Sequence, residues 1–211
     1  MSLVSNIDRP LLTGFPDRNV YKGGPLEYYN AAGLFTPGQG VVEEYRKVRL
    51  VPFAEYMPVP GLNKVNFGQG NFTPGDTLRV FERGGPPFGV LICIEACFPD
   101  LARGLVRGGA RFLVNVTNDQ WFGPSAAPWQ HLTMAVFRCV ENRVGMARAA
   151  NTGISCLIDP TGVIHHATGL FVPATLQGNV RLGTETTFYT RAGDWIVFLA
   201  ALVALAGLAR G

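Results

Sequence analysis

Apolar residues fall along the chain in short runs separated by Gly, Pro and Asn, and the runs change from strand-like to helix-like and back. Gly89-Val90-Leu91-Ile92-Cys93 is a continuous apolar, β-branched run bounded by turn residues, the pattern of a strand buried on both faces. The chain then turns at Pro99-Asp100 into an expected helix from Leu101 to Arg107, and Arg111 to Val116 reads as the next strand. The order strand, helix, strand is that of an α/β layer.

Downstream, Asn118 to Pro124 reads as a polar and aromatic loop. A long helix is expected from Ala127 to Ala149, with Ser125 as its cap and Pro128 in its first turn. Leu132, Val136, Cys139, Val140 and Val144 lie near helical spacing, and Asn151-Thr152-Gly153 ends the run. Ile154 to Ile158 and Val163 to His165 flank Asp159-Pro160-Thr161-Gly162, which has the residues of a tight turn, so this stretch reads as a β-hairpin. Upstream, Met1 to about Gly40 is rich in Gly, Pro, Asn and Tyr, with Pro10 to Gly14 as one strand before a long loop. Val41 to Leu50 alternates in part and runs into Val51-Pro52-Phe53. Pro52 and Pro58 exclude a helix there, placing Lys47 and Glu55 near a strand end.

The run from Trp195 to Ala209 is different in kind. Its fifteen residues carry no charge and contain only apolar residues and Gly207. As a helix it extends about 22 Å, whereas a full span needs roughly 20 residues for a hydrocarbon core of about 30 Å. It therefore reads as a short or truncated transmembrane helix, with a buried terminal core helix as the alternative. Ala200, Ala204 and Gly207 put small residues near one face, where a second helix can approach closely. Arg191 and Arg210 flank it almost symmetrically, so the positive-inside rule does not orient it.

Composition narrows the picture. With 211 residues and 47% hydrophobic content, the chain is able to bury the core of one domain. Its 18 basic and 15 acidic residues are dispersed, without the basic stripe of a nucleic-acid surface. Met1 to Asp8 shows no secretory signal pattern. The four cysteines, Cys93, Cys97, Cys139 and Cys156, lack paired CxxC spacing and read as free, mostly buried thiols. His131, His165 and His166 form no ligand pattern with them, so no metal and no cofactor are expected. Only Lys22, Lys47 and Lys64 are lysines.

A cysteine at the end of a buried strand, followed at once by a turn, is placed to present its sulfur above the sheet edge. Neighbouring backbone amides can then face a developing oxyanion. Cys93 fits that description and the other three do not. An arbitrary cysteine on an apolar strand is usually a small buried hydrophobe; the motifs around Cys93 set it apart.

Tyr45-Arg46-Lys47-Val48-Arg49-Leu50-Val51-Pro52-Phe53-Ala54-Glu55-Tyr56-Met57-Pro58 resembles the lysine block of apolipoprotein N-acyltransferases, membrane members of the nitrilase, or carbon–nitrogen hydrolase, superfamily. Gly89 to Glu95 resembles their nucleophile block, and Asn115 to Gly123 with Pro128-Trp129-Gln130-His131 the block after it. The resemblance implies a nitrilase-like α-β-β-α sandwich, incomplete at its N-terminus, over residues 1–190, then a transmembrane helix at 195–211. It also implies a Glu-Lys-Cys triad in which Cys93 is the nucleophile and Lys47 the lysine, with Glu55 a second essential acid and Glu95 positioning substrate. Glu95 is expected to share a strand face with Cys93. A nearby ammonium lowers a thiol pKa and stabilises an oxyanion, which explains the choice of lysine.

By resemblance the reaction is ping-pong. Cys93 takes an acyl chain from a membrane phospholipid and delivers it to the N-terminal diacylglyceryl-cysteine of a lipoprotein, on the extracytoplasmic side of the bacterial inner membrane. Two departures stand out. Ile94 follows the nucleophile where the family commonly has Tyr, and no Trp-Pro-Glu-like block holding the triad glutamate occurs; Glu43 and Glu44 do not match it. On this reading the chain starts inside the nitrilase domain and lacks the upstream helices and the general base. A soluble nitrilase or amidase using water as acceptor, or an inactive truncated remnant, remain the alternatives.

Overall fold

The structure, a computed structural model, describes residues 8–20, 26–59, 71–83 and 85–208. Met1 to Ile7, Lys22, Lys64 and the end of the apolar run at Ala209 and Arg210 lie outside the described residues, and with them most of the stretch read for a secretory signal.

Nine strands form two sheets among the described residues. β1 (Leu11–Val20), β2 (Leu26–Thr36) and β3 (Gly40–Arg46) make an antiparallel meander. β4 (Val80–Phe81), β5 (Phe88–Ile92), β6 (Phe112–Asn118), β7 (Gly145–Asn151), β8 (Cys156–Ile158) and β9 (Ile164–His165) lie side by side in chain order. β5, β6 and β7 are parallel to one another and the outer pairings are antiparallel. Parallel neighbours need crossovers. These are supplied by α1 (Pro99–Arg107) and α2 (Ala127–Asn142).

Strand alternation divides the core into two layers. Phe88, Val90 and Ile92 of β5 pack with Ala32, Leu34 and Tyr45 of the meander. Leu91, between them, faces the other way into Leu101 and Leu105 of α1 and Leu132 and Cys139 of α2. β5 is buried along its whole length, as a strand sandwiched between a sheet and helices must be. Gly89 is the point of closest approach, since a Cβ there would lie 2.8 Å from Leu105. The described layers are thus helix, sheet, sheet, the nitrilase-like α/β arrangement.

Three expectations need correction. The N-terminal stretch read as one strand and a long loop supplies β1 and β2, the first two strands of a three-stranded meander, with Ala32 and Leu34 buried against the larger sheet. The helix expected to reach Ala149 stops at Asn142, where Arg143 takes the left-handed conformation that normally goes to Gly. Gly145 to Asn151 is then a strand, its Ala-rich sequence overridden by pairing along the full length of β6. Ser125 is not the residue in the cap position, which is Ala126, although its Oγ accepts from Ala127 N at 3.2 Å.

α3 (Phe188–Ala192) is tied to α2 by Thr190 Oγ1 donating to Asn142 Oδ1 at 2.9 Å and Thr187 Oγ1 donating to the Glu141 carbonyl at 2.6 Å. α4 (Trp195–Leu208) follows, and none of its residues is buried, so the terminal core helix is excluded. Its 14 residues span about 21 Å. Among the described residues no helix is long and apolar enough to cross a membrane, so a full span at 195–211 goes beyond what is seen.

Candidate active site

Lys47 is the first residue past β3. Its backbone is fixed on both sides: Lys47 N donates to the Asn30 carbonyl and Gly75 N donates to the Lys47 carbonyl, each at 2.8 Å. The side chain is completely buried and its Nζ lies 2.7 Å from Glu55 Oε2. An ammonium out of water must be paired to be tolerated. Glu55 pairs it from a tight loop in which Phe53 is left-handed and Glu55 N donates to the Val51 carbonyl. The Glu55 carboxylate also accepts from Val51 N at Oε2 and from Asn30 Nδ2 at Oε1, both at 2.7 Å. Three donors therefore hold Glu55 in one orientation.

Cys93 directly follows β5 and opens a 3-10 turn, Cys93–Cys97. Its φ is +53°, a left-handed backbone that costs a residue with a Cβ about 1 kcal/mol or more. Such strain persists only where surrounding contacts impose it. Cys93, Ile94 and Glu55 line one open groove of roughly 860 Å³, whose other walls include Phe15, Phe72, Trp121 and Phe122. Ile94 presents an apolar side chain there. The Trp121 side chain is 84% exposed at this rim.

Glu95 departs from expectation. The strand ends at Ile92, so Glu95 sits on the turn and not on the Cys93 face of a strand. Its carboxylate is fully buried behind the groove, accepting from Ile92 N, Val48 N and Tyr45 Oη at 2.8 Å and from Arg49 N at 3.1 Å. It stitches the end of β3 to the nucleophile turn on either side of Lys47 and has no surface toward a substrate. Burial pushes its carboxyl upward, opposed by these four donors. Burial, helped by the Glu95 charge, also drives Tyr45 upward, so its hydroxyl stays a donor.

A second buried network passed unnoticed in the sequence. His131 Nε2 lies 3.0 Å from the Cys93 carbonyl and His131 Nδ1 lies 3.0 Å from Asp119 Oδ1. Arg148 Nη2 donates to Asp119 Oδ2 at 2.8 Å, and Arg148 Nη1 donates to Asn115 Oδ1. Burial disfavours the Asp119 charge, but His131 and Arg148 outweigh it and hold the carboxyl below the usual range. The available signal was Asn115, Asp119 and His131 within the third motif block; Arg148 was hidden by the helical reading of β7.

Of the other thiols, burial raises Cys97, with the nearby Cys93 adding to the effect, and burial raises Cys139 and, to about 11, Cys156. All four cysteines are free. Among the described residues no group of His, Cys, Asp and Glu is placed to hold a metal ion.

A parallel β-α-β unit with a left-handed cysteine just past its first strand, in a groove also lined by the glutamate of a buried Lys-Glu pair, is a nitrilase-like arrangement. The family model described as Carbon-nitrogen hydrolase matches residues 1–188, and the chain belongs to that family. It is 49% identical over 186 residues to the apolipoprotein N-acyltransferase of Geobacter metallireducens, covering 86% of this chain and 35% of that protein. With the enzyme of the same name from Chlorobaculum tepidum it shares 38% over 218 residues, covering 92% of this chain and 41% of the relative. The chain thus spans about two fifths or less of the length of these relatives. Among solved structures, an amidase from Nesterenkonia sp. superposes with a TM-score of 0.62 at 19% identity, over 93% of this chain and 68% of the amidase. Nit3 of Saccharomyces cerevisiae, a member of branch 10 of the nitrilase superfamily, gives 0.52 at 22% identity, over 68% of this chain and 50% of Nit3. These two likenesses concern the fold.

Proposed function

We propose that this chain carries the nucleophile and its lysine for lipoprotein N-acylation. Cys93 takes an acyl chain from a phospholipid and passes it to the α-amino group of a diacylglyceryl-cysteine. The observation that carries the reading is the shared, largely apolar groove into which Cys93 and Glu55 both open, with Lys47 buried against Glu55.

In the first half-reaction the Cys93 thiolate attacks the ester carbonyl carbon, forming a C–S bond and an oxyanion. Collapse breaks the ester C–O bond, and the proton given up by the Cys93 thiol ends on the departing lysophospholipid oxygen. In the second, the lipoprotein amine attacks the thioester carbonyl, the C–N bond forms, the C–S bond breaks and the amine proton returns to sulfur. Lys47 favours the thiolate and the oxyanion by its charge. Glu55, with its oxygens occupied by three donors, orients Lys47, and Glu95 acts only through the backbone it ties together.

On this reading residues 1–190 form the catalytic unit and 195–211 enter the inner membrane, with the catalytic unit on its extracytoplasmic side. The uniformly apolar, solvent-facing surface of α4 supports the membrane contact.

The test is to incubate the protein with phospholipid vesicles and search its cysteine peptides for a hydroxylamine-labile acyl mass, then add a diacylglyceryl-cysteine peptide. An adduct confined to Cys93, lost in Cys93→Ser and chased onto the peptide amine, is expected. An adduct that survives Cys93→Ser would remove Cys93 from the mechanism, and release as free fatty acid without acylated peptide would make the protein a hydrolase.

A further inference from the structure

The carbonyl of the left-handed Cys93 is held from behind the sheet. It receives His131 Nε2 at 3.0 Å and Asn115 Nδ2 at 3.4 Å, and Asn115 Nδ2 also donates to the Leu91 carbonyl at 2.9 Å. Two side chains from different elements, α2 and β6, thus converge on one carbonyl oxygen. Neither is free to turn away. Arg148 grips Asn115 Oδ1 and Asp119 Oδ2, and is itself fixed by Nε donating to the Ile154 carbonyl at 3.2 Å. Thr117 Oγ1 donates to Asp119 Oδ1 at 2.9 Å, and Gly153 packs so close to Asp119 that a Cβ there would collide with its carboxylate. Asn115, Asp119, His131 and Arg148 are all buried.

We propose that His131 is a positioning residue for Cys93: its Nε2–H holds the Cys93 carbonyl, and with it the left-handed turn that aims Sγ into the groove. The inference rests on the reading of Cys93 as nucleophile. A carbonyl only accepts, so Nε2 carries hydrogen whether the ring is charged or neutral. Nδ1 lies 3.0 Å from Asp119 Oδ1 and 3.1 Å from Arg148 Nη2. It donates to the carboxylate when the ring is charged and accepts from the guanidinium when it is neutral. Asp119 and Arg148 therefore fix the ring in both states, and the hold on Cys93 survives a change of protonation.

Two amide substitutions separate this role from one of filling and pairing. Gln at position 131 carries its amide about as far as Nε2 and is able to reach the Cys93 carbonyl, while Asn reaches only about as far as Nδ1 and keeps the Asp119 contact. The readout is site-resolved alkylation of the 211-residue chain by iodoacetamide, taken as the rate at Cys93 relative to Cys97, whose carbonyl is held by Arg138 and not by His131. Wild type is expected to label Cys93 faster, His131→Gln to keep that ratio, and His131→Asn to lower it about tenfold, the factor one hydrogen bond supplies. Thermal midpoints and near-ultraviolet circular dichroism establish that each variant is folded. Should Asn fail to fold, His131→Leu, of similar size and without a donor, takes its place, and should both fail, a folded Gln variant with the ratio brought to one overturns the proposal. Equal ratios in wild type, Gln and Asn, or Asn outperforming Gln, overturn it as well while leaving Cys93 as nucleophile. A wild-type Cys93 no faster than Cys97 overturns the nucleophile reading itself, and the positioning role with it.

Discussion

Lys47 Nζ and Glu55 Oε2 meet at 2.7 Å with the lysine side chain wholly removed from water, although the two residues lie on opposite sides of a proline-containing loop. The pair holds the exit of β3 against the groove wall. Its members therefore serve stability and chemistry at once, and the two contributions are separable by experiment.

Glu55→Gln leaves the Lys47 ammonium buried beside a neutral amide. Breaking one side of a buried pair typically costs about 3–5 kcal/mol, and that is the loss expected in urea unfolding. Lys47→Met alone strands the carboxylate less severely, because Val51 N and Asn30 Nδ2 still donate to it. In the double variant the penalties should fall well short of their sum. Additive penalties would show that the two charges do not depend on each other.

Gly75 abuts the same strand exit. A Cβ there would run into the Arg46 carbonyl oxygen, a backbone atom that cannot swing aside, while Gly75 N donates to the Lys47 carbonyl. Gly75→Ala should destabilise by about 1–3 kcal/mol, the usual range for overpacking. It should also lower Cys93 alkylation by displacing Lys47. A urea midpoint equal to wild type would mean that the loop yields freely and does not fix the lysine.

Two of the buried carboxyls, Asp119 and Glu95, respond oppositely to acid. Asp119 is depressed below 3.8, chiefly against the burial cost and through His131 and Arg148. Its contribution is present above the unfolded value and is lost as pH falls through the lower folded value. Glu95 is raised above 4.5 by burial, so its contribution is complete below 4.5 and declines as pH rises through the folded value. Urea midpoints measured against pH should show the gap between wild type and Asp119→Asn closing below pH 3.8. A gap that persists unchanged there would remove the Asp119 charge as its cause.

Much of the larger sheet was legible because local pattern and tertiary role agree there. Gly89 to Cys93 is apolar on both faces because β5 has a sheet on one side and helices on the other. β7 was not legible: Gly145-Met-Ala-Arg-Ala-Ala carries helix formers, and pairing with β6, more than twenty residues earlier, and with β8 makes it a strand. The meander was hidden for the same reason, since its Gly, Pro and Asn residues read as loop until ten paired positions hold β1 on β2. At the site, Lys47, Glu55 and Cys93 came from motif resemblance; the structure pairs Glu55 with Lys47 and has Glu55 and Cys93 line one groove. The orientation of Glu95 was beyond sequence because it depends on the sign of one backbone angle. Once Cys93 turns left-handed, strand alternation ends and the residue two positions on faces the interior.

The last prediction concerns α4. Trp195 to Leu208 contributes no buried residue, and among the described residues its ring contact is Trp195 edge-on to Phe188 at 5.4 Å. Removing residues 195–211 should therefore leave the thermal midpoint of the remainder near that of the whole chain, since stability is lost chiefly with buried apolar area. The same surface has Ile196, Phe198, Leu202 and Leu205 more than 60% exposed, an apolar patch that water does not favour. At about 21 Å the described helix is too short to span alone but long enough to enter a bilayer's apolar layer. Flotation with phospholipid vesicles should carry the intact chain to the light fraction and leave the shortened one behind, with Cys93 alkylated at the same rate in both. A shortened chain that floats equally well would move the membrane contact elsewhere, to the aromatic groove rim around Trp121. A fall in thermal midpoint would show instead that α4 packs on the domain.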